Sequence, residues 1–317
     1  MCAGRTGDLY RGCRSAGVTD GALVPATAPA TRIAPTPSGF LHMGNAANAL
    51  LVHWLARNRR AGQPWAVTLR IDDVDHGRVR PEYVEDIFNV LSWLGIQWTN
   101  GPASAADYLR GAARPGGMTP RPALDAERDI ALSLRDGAPS GIRAFVCGCS
   151  RREVLQAGIT GCPADCASRN LQLRSGETAL RLRIPAGLSE PMDGCAIDLS
   201  VEHPDVVIWR RDDLPAYHLA TVLDDERIGT THIVRGADLR SASALQVVLA
   251  RALGATGVAG ATYLHHELLT DQLGRKISKS TLRAGNPMAR DPALAARITT
   301  LAMNLGEPLG ISPSTTI

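Results

Sequence analysis

The sequence predicts an α/β fold: a parallel sheet built in two halves, with a separate subdomain inserted between them. Three observations carry this. A strand reaching about Ala34 passes through the turn Pro35-Thr36-Pro37-Ser38-Gly39 into a helix whose apolar positions Leu50, Leu51, Trp54 and Leu55 follow helical spacing. Strand and helix patterns alternate again much further on, from about Val206. Between these two stretches the alternation breaks, over about residues 105–203, and four closely spaced cysteines appear.

Residues 1–30 are rich in Gly, Ala, Thr and Pro without sustained periodicity and read as a flexible extension. The first half of the nucleotide-binding fold is placed at 31–104. There His42-Met43-Gly44-Asn45 opens the helix. Gly44 lets the backbone approach a ligand, the helix N-terminus would present unpaired N–H groups to phosphate, and His42 can donate to a phosphate oxygen. Taken alone, such a histidine reads as an ordinary loop residue. A strand near Trp65–Ile71 follows, then a helix opening at Pro81, running through Val84, Ile87, Phe88 and Leu91, and stopping at Gly95. That order implies parallel strands with right-handed crossovers.

Within 105–203, Gly111–Pro122 reads as loop, with Gly116-Gly117 set among prolines. The second half, 204–260, resumes at Val206-Val207-Ile208-Trp209 as a buried strand, and a helix from about Ser241 to Leu253, ended by Gly254, completes the crossover. Residues 261–317 hold the turn-forming Asp271-Gln272-Leu273-Gly274, then Lys276-Ile277-Ser278-Lys279-Ser280, then a short tail. Lysines three apart can close over a triphosphate and neutralise the charge that develops as pyrophosphate leaves. A solvated basic loop is the plainer reading, and the upstream His-Gly turn weighs against it.

In these two motifs the chain resembles class I aminoacyl-tRNA synthetases, whose signatures are His-Ile-Gly-His and Lys-Met-Ser-Lys-Ser. Arg32 to Gly44, Leu69 to Asp75, Tyr217-His218-Leu219-Ala220 with Asp224-Asp225, and Val234 to Leu239 narrow the resemblance to the glutamyl branch, over about residues 31–283. It implies a Rossmann-like parallel sheet with an inserted acceptor-binding, zinc-bearing subdomain. Only Thr281–Ile317 follows the lysine motif, too little for the helical anticodon-binding domain of a full glutamyl enzyme. The outline is most similar to the compact glutamyl-queuosine tRNA(Asp) synthetases.

What the resemblance implies is specific. ATP, with Mg2+ on its phosphates, would meet His42, Gly44, Asn45, Lys276, Ser278 and Lys279, of which His42, Lys276 and Lys279 carry the catalysis. Glutamate would meet Arg32, Ala34, Thr36, Asp72, Tyr217 and Arg235; a dicarboxylic amino acid needs cationic forks for its acids and an acceptor for its ammonium. Asp72 stands where the family usually has Glu, and Thr36 where it more often has Ser. Aspartate sets the carboxylate back by one C–C bond, about 1.5 Å, and misplacement on that scale can cost orders of magnitude in rate. Glutamate specificity is therefore less firmly implied than ATP-dependent activation.

Cys147, Cys149, Cys162 and Cys166 form C-x-C, twelve residues, then C-x-x-x-C. Four thiolates so spaced suit a structural, tetrahedral Zn2+ site in a reducing compartment; disulfides are the rival, disfavoured because no secretion signal is visible. The compact synthetases look similar here, with a Tyr at the position of Cys162. Cys2, Cys13 and Cys195 are assigned no metal role.

At 317 residues, 44% hydrophobic, with net charge +3, the chain is an ordinary globular protein by composition. The mild charge neither demands nor excludes RNA. No apolar run approaches a membrane span, so the expected place is the cytoplasm, as a monomer. The expected reaction is ATP-dependent activation of glutamate and its transfer to the queuosine base at the wobble position of tRNA(Asp). Two alternatives stay open: a ligase charging another acceptor (a small molecule, a carrier protein or ordinary tRNA), and a non-catalytic RNA-binding paralogue.

Overall fold

A computed structural model describes residues 28–57, 65–74, 76–112, 124–156, 161–268 and 286–313. In chain order the elements are β1 (Ala30–Ile33), α1 (Met43–Arg57), β2 (Ala66–Leu69), α2 (Pro81–Trp93), α3 (Ala105–Ala112), α4 (Leu124–Ser133), β3 (Arg143–Cys147), α5 (Arg151–Gln156), β4 (Ala179–Arg183), β5 (Ser189–Met192), β6 (Cys195–Asp198) and α6 (Leu199–Glu202). They continue as β7 (Asp205–Trp209), α7 (Tyr217–Arg227), β8 (His232–Gly236), α8 (Arg240–Leu253), α9 (Thr256–Ala259), β9 (Thr262–His266) and α10 (Pro292–Gly306). Two compact units divide them, one built from 24–122, 229–240 and 261–317, the other centred on 123–228 with 241–260.

The first unit is a parallel layer. β1 pairs with β2 from Ala30↔Ala66 to Ile33↔Leu69, and β8 pairs with β9 from His232↔Thr262 to Gly236↔His266. Thr231 joins the two pairs: its N–H donates to the Ala30 carbonyl at 2.9 Å and its own carbonyl accepts from Thr262 at 2.8 Å. All four residues of β1 are buried, as expected of a strand covered on both faces. α1 lays Leu50, Leu51 and Trp54 into a core with Leu69, Ile87, Leu91, Val234 and, from α10, Ile298 and Ala302. α2 opens at Pro81 after an extended Arg80, and Leu94 and Gly95, the latter at φ +67°, turn the chain out of it. Gly111 lies inside α3, which runs to Ala112, and not in the loop expected from it; 113–123, the rest of that expected loop up to Pro122 included, lies outside the described residues.

Gly101 (φ +107°) brings its backbone against the Leu69 carbonyl, where an added Cβ would collide. We expect Gly101→Ala to lower the free energy of unfolding by about 2 kcal/mol or more, read from the urea midpoint; an unchanged midpoint would show that the turn relaxes without cost.

Burial also holds the pKa values of His53, His232 and His266 in this unit below the ordinary 6.5. A histidine whose folded pKa is depressed adds stability that is complete above its unfolded pKa and is lost as pH falls from there to the folded pKa. Thermal stability should therefore hold from pH 8 to 7 and start to drop below about 6.5. A melting temperature flat down to pH 5 would contradict the assignment.

In the second unit β3, β4 and β7 form an antiparallel sheet in that order, with Arg143↔Arg183 and Cys147↔Ala179 at the ends of the first pairing. The strand expected at Val206–Trp209 is present as β7, but it pairs antiparallel with β4 instead of extending the parallel layer. Its first three residues are only half-buried, the mark of a sheet edge. β5 and β6 form a hairpin whose two central residues, Asp193 (φ 50°) and Gly194 (φ 76°), supply the left-handed pair that a tight right-twisted hairpin requires. Glu226 at the end of α7 accepts from the Val258 N–H at 2.9 Å and so ties α9 to α7.

Candidate functional site

The turn before α1 is organised by one imidazole. His42 Nδ1 accepts the N–H groups of Gly44 (3.1 Å) and Asn45 (3.3 Å), and the His42 carbonyl accepts from Ala46 at 3.1 Å. Three of the donors expected to be open to phosphate at this helix start, those of Gly44, Asn45 and Ala46, are thus already bonded to the side chain and carbonyl of the same residue. The reason is geometric: a side-chain acceptor at the N-cap position competes for these donors. The consequence is a defined tautomer. With Nδ1 an acceptor, the proton of the neutral ring lies on Nε2, the one ring nitrogen able to donate. Asn45 occupies the place of the second histidine of the His-Ile-Gly-His signature and returns Oδ1 to the His42 N–H at 3.3 Å.

Beneath the turn lies a residue the sequence did not single out. Asp86 of α2, 3% exposed, accepts the Leu41 N–H at 2.9 Å, and Arg290 approaches its other oxygen at 3.3 Å. Burial raises its pKa despite both partners. Its place on an amphipathic helix carried no hint of partners so distant in sequence.

Of the residues expected to meet glutamate, Arg32, Ala34, Thr36, Asp72 and Arg235 lie toward or just past the carboxyl ends of parallel strands of the first unit, where ligands bind in such sheets. Arg32 (5% exposed) lies on β1 opposite Thr68, and Arg235 (5%) on β8 opposite His265. The Arg235 guanidinium stands 5.6 Å over the Tyr263 ring. Ala34 is half-buried and Thr36 exposed, just past β1. Asp72 follows β2 and donates its N–H to the Pro35 carbonyl at 2.9 Å, which brings it beside Ala34–Thr36. Its carboxylate, however, is held by Arg70, Nε to Oδ1 at 2.7 Å and a second N–H to Oδ2 at 3.2 Å. The expected acceptor for a substrate ammonium is already half neutralised by a buried cation. Tyr217 starts α7 in the other unit, 42% exposed, its ring centroid 5.1 Å from that of His218. Asp224 pairs with Arg227 at 2.7 Å, and Asp225 is fully buried.

At the end of β9, His266 Nε2 accepts from the Asn48 amide of α1 at 3.1 Å, and Nδ1 donates to the Glu267 carbonyl at 2.8 Å. Gly236 has no room for a Cβ, which would meet Asp238 Oδ1 at 2.6 Å and crowd Leu268. The segment 269–285 after His266, and with it Lys276, Ser278 and Lys279, lies outside the described residues.

In the second unit β3 delivers Cys147, the turn after it Cys149, and the short 3-10 turn Ala164–Arg169 delivers Cys166, with Cys162 just ahead. All four sulfurs lie within 4.8 Å of one another, with Cys147–Cys162 at 3.0 Å and Cys149–Cys166 at 3.5 Å. Thiolates on one tetrahedral zinc, at Zn–S about 2.3 Å, stand about 3.8 Å apart. The donor set therefore fits a closed structural site. Burial pushes Cys162 up and Cys166 up to about 12. Burial opposes ionisation of Cys147 too, yet hydrogen bonds from Cys162 and Cys149 outweigh it and hold that thiol below its ordinary value. Asp205 anchors the cluster by accepting the Cys162 N–H at 2.7 Å. No helix among the described residues is long and apolar enough to cross a membrane.

The family model described as tRNA synthetases class I (E and Q), catalytic domain, matches residues 30–113 and 164–289. A protein of Nitratidesulfovibrio vulgaris named Glutamyl-Q tRNA(Asp) synthetase is 34% identical over 266 residues, covering 78% of this chain and 76% of that relative. A protein of the same name from Synechococcus sp. (strain CC9605) is 37% identical over 265 residues, 84% of this chain and 78% of the relative. Among solved structures, the glutamate-tRNA synthetase from Elizabethkingia anophelis aligns with TM-score 0.57 at 22% identity, over 84% of this chain and 56% of that one, a likeness of fold.

Proposed function

We propose that this chain, which belongs to the class I tRNA synthetase family of the glutamyl and glutaminyl enzymes, activates glutamate with ATP and transfers it to the queuosine base at the wobble position of tRNA(Asp). That it is an ATP-dependent ligase follows from the family. The finer reading is supported chiefly by relatives named Glutamyl-Q tRNA(Asp) synthetase, which this chain covers over about three-quarters of their length: 76% and 78%.

In the first step a glutamate α-carboxylate oxygen attacks the α-phosphorus of ATP, the new P–O bond forms and the bond to pyrophosphate breaks. Positioning and charge neutralisation do this work. His42, with its proton on Nε2, is the donor to a phosphate oxygen; Lys276 and Lys279 are proposed to neutralise the departing pyrophosphate, with Ser278 and Mg2+ on the same phosphates. Arg32 and Arg235 would fork the substrate carboxylates. In the second step a hydroxyl of the queuosine base attacks the adenylate carbonyl and AMP leaves.

Asp72 sets the amino-acid question. A substrate ammonium would share the Asp72 carboxylate with Arg70, at a position one methylene short of the family's glutamate. Pyrophosphate exchange run with each of the twenty amino acids, without RNA, names the substrate. We expect glutamate, with a KM raised by the shared carboxylate; strongest exchange with a different amino acid would displace glutamate from the proposal. Labelled glutamate should then appear on queuosine-containing tRNA(Asp) and not on its unmodified counterpart. Equal labelling of both, or of neither, would reject the acceptor.

A further inference from the structure

We propose that a basic cavity in the cysteine-bearing unit, remote in sequence from every residue assigned to ATP or glutamate, binds one unpaired nucleotide of the RNA acceptor. It has a volume of about 560 Å³ and lies between β3, the turn at Ala167–Asn170 and the end of β4. That size suits a nucleotide and exceeds what a lone phosphate fills. The inference rests on the acceptor being RNA.

Its charges are arranged at a cost that an anion would offset. Arg143 and Arg183 stand directly opposite each other in the β3–β4 register, a like-charge pairing that destabilises a sheet. Arg135 adds a third guanidinium to the lining. Asp205 compensates only Arg183, through bonds of 2.9 and 3.1 Å. Arg143 is spent on no carboxylate; its Nε donates to the Arg135 carbonyl at 2.8 Å, and neither Arg135 nor Arg143 has an ion-pair partner among the described residues. Both side chains line the cavity, and a guanidinium fork matches the bidentate geometry of a phosphate.

The rest of the cavity suits a base. The Arg183 guanidinium lies 4.7 Å over the Phe145 ring, and both line the space. Flat guanidinium and aromatic surfaces are what unpaired RNA bases stack on. Ser168 and Asn170, the latter in the left-handed conformation (φ 48°), supply polar edges at the rim. The assignment therefore puts the phosphate at Arg135 and Arg143 and the base at the Arg183–Phe145 stack. Asp205 also links this cavity to the thiol cluster, since the carboxylate that fixes Arg183 accepts the Cys162 N–H.

The test is tRNA binding, with queuosine-containing tRNA(Asp) as the probe, by wild type and by the Arg135→Ala/Arg143→Ala double variant. A melting temperature within a degree or two of wild type verifies folding. The variant should bind roughly tenfold or more weakly, and the slope of log K against log salt should flatten by roughly 0.7, as expected for one lost phosphate contact on an unpaired strand. Arg135→Lys/Arg143→Lys should restore most of the slope. Ultraviolet crosslinks should map to peptides containing Arg135–Val146 or Ala167–Asn170. Unchanged affinity and slope in the alanine variant, or crosslinks confined to other peptides, would overturn the cavity assignment while leaving the acceptor reading intact. Failure of the wild type to bind the tRNA at all would overturn both.

Discussion

His42→Asn should reduce amino-acid-dependent pyrophosphate exchange by roughly 10²–10³-fold, the scale of losing one donor aimed at developing charge, with little change in melting temperature. The proposed catalytic role and the observed capping role fall on different ring nitrogens. Nδ1 holds the N–H groups of Gly44 and Asn45, a helix-capping task that asparagine performs about as well as any residue. On the proposed role, Nε2 would donate its proton to the phosphate, and asparagine, capping through its short amide, has no group that reaches as far. His42→Ala should lose both, adding about 1 kcal/mol of instability to the same kinetic defect. Equal exchange by His42→Asn and wild type would remove His42 from the catalytic set. A melting temperature lowered as much in His42→Asn as in His42→Ala would instead refute the capping account.

Loss of metal is expected to be the larger structural effect. The purified chain should carry about one zinc, and Cys166→Ser should lower that content tenfold or more, since each thiolate supplies one of four bonds. The stretch from Gly161 to Asn170 forms no strand; among its tethers are the Cys162 N–H to Asp205 at 2.7 Å and the sulfur cluster itself. Stripping the ion with a chelator should therefore open peptide bonds between Gly148 and Asn170 to protease, with the fragments identified by mass. A chain that contains no zinc when purified under reducing conditions and resists protease there would refute the metal-centre reading.

Much of this molecule was legible from residue order. The strand to Ala34, the helix with Leu50, Leu51 and Trp54 buried, the Pro81 start and Gly95 stop of α2, and the α8 span ended by Gly254 all follow from local rules of periodicity, capping and chirality. The cysteine spacing likewise anticipated four sulfurs within bonding reach of one ion. These features depend on neighbours a few residues apart, or on side chains with one dominant chemistry.

The pairing of distant groups was a different matter. Nothing in Val206–Trp209 says that its partner is β4, because an apolar strand reads the same whether its neighbour runs parallel or antiparallel. The Asp86–Leu41 bond, the Arg70 clamp on Asp72, the His266–Asn48 link and the opposition of Arg143 to Arg183 join residues whose separation along the chain carries no periodic signal. Charge and burial decide what such groups do, and both are set only when the chain closes on itself. The sequence by itself determined which chemistry this protein carries; tertiary packing decided which of its polar atoms are already bonded, and so which remain to meet a ligand.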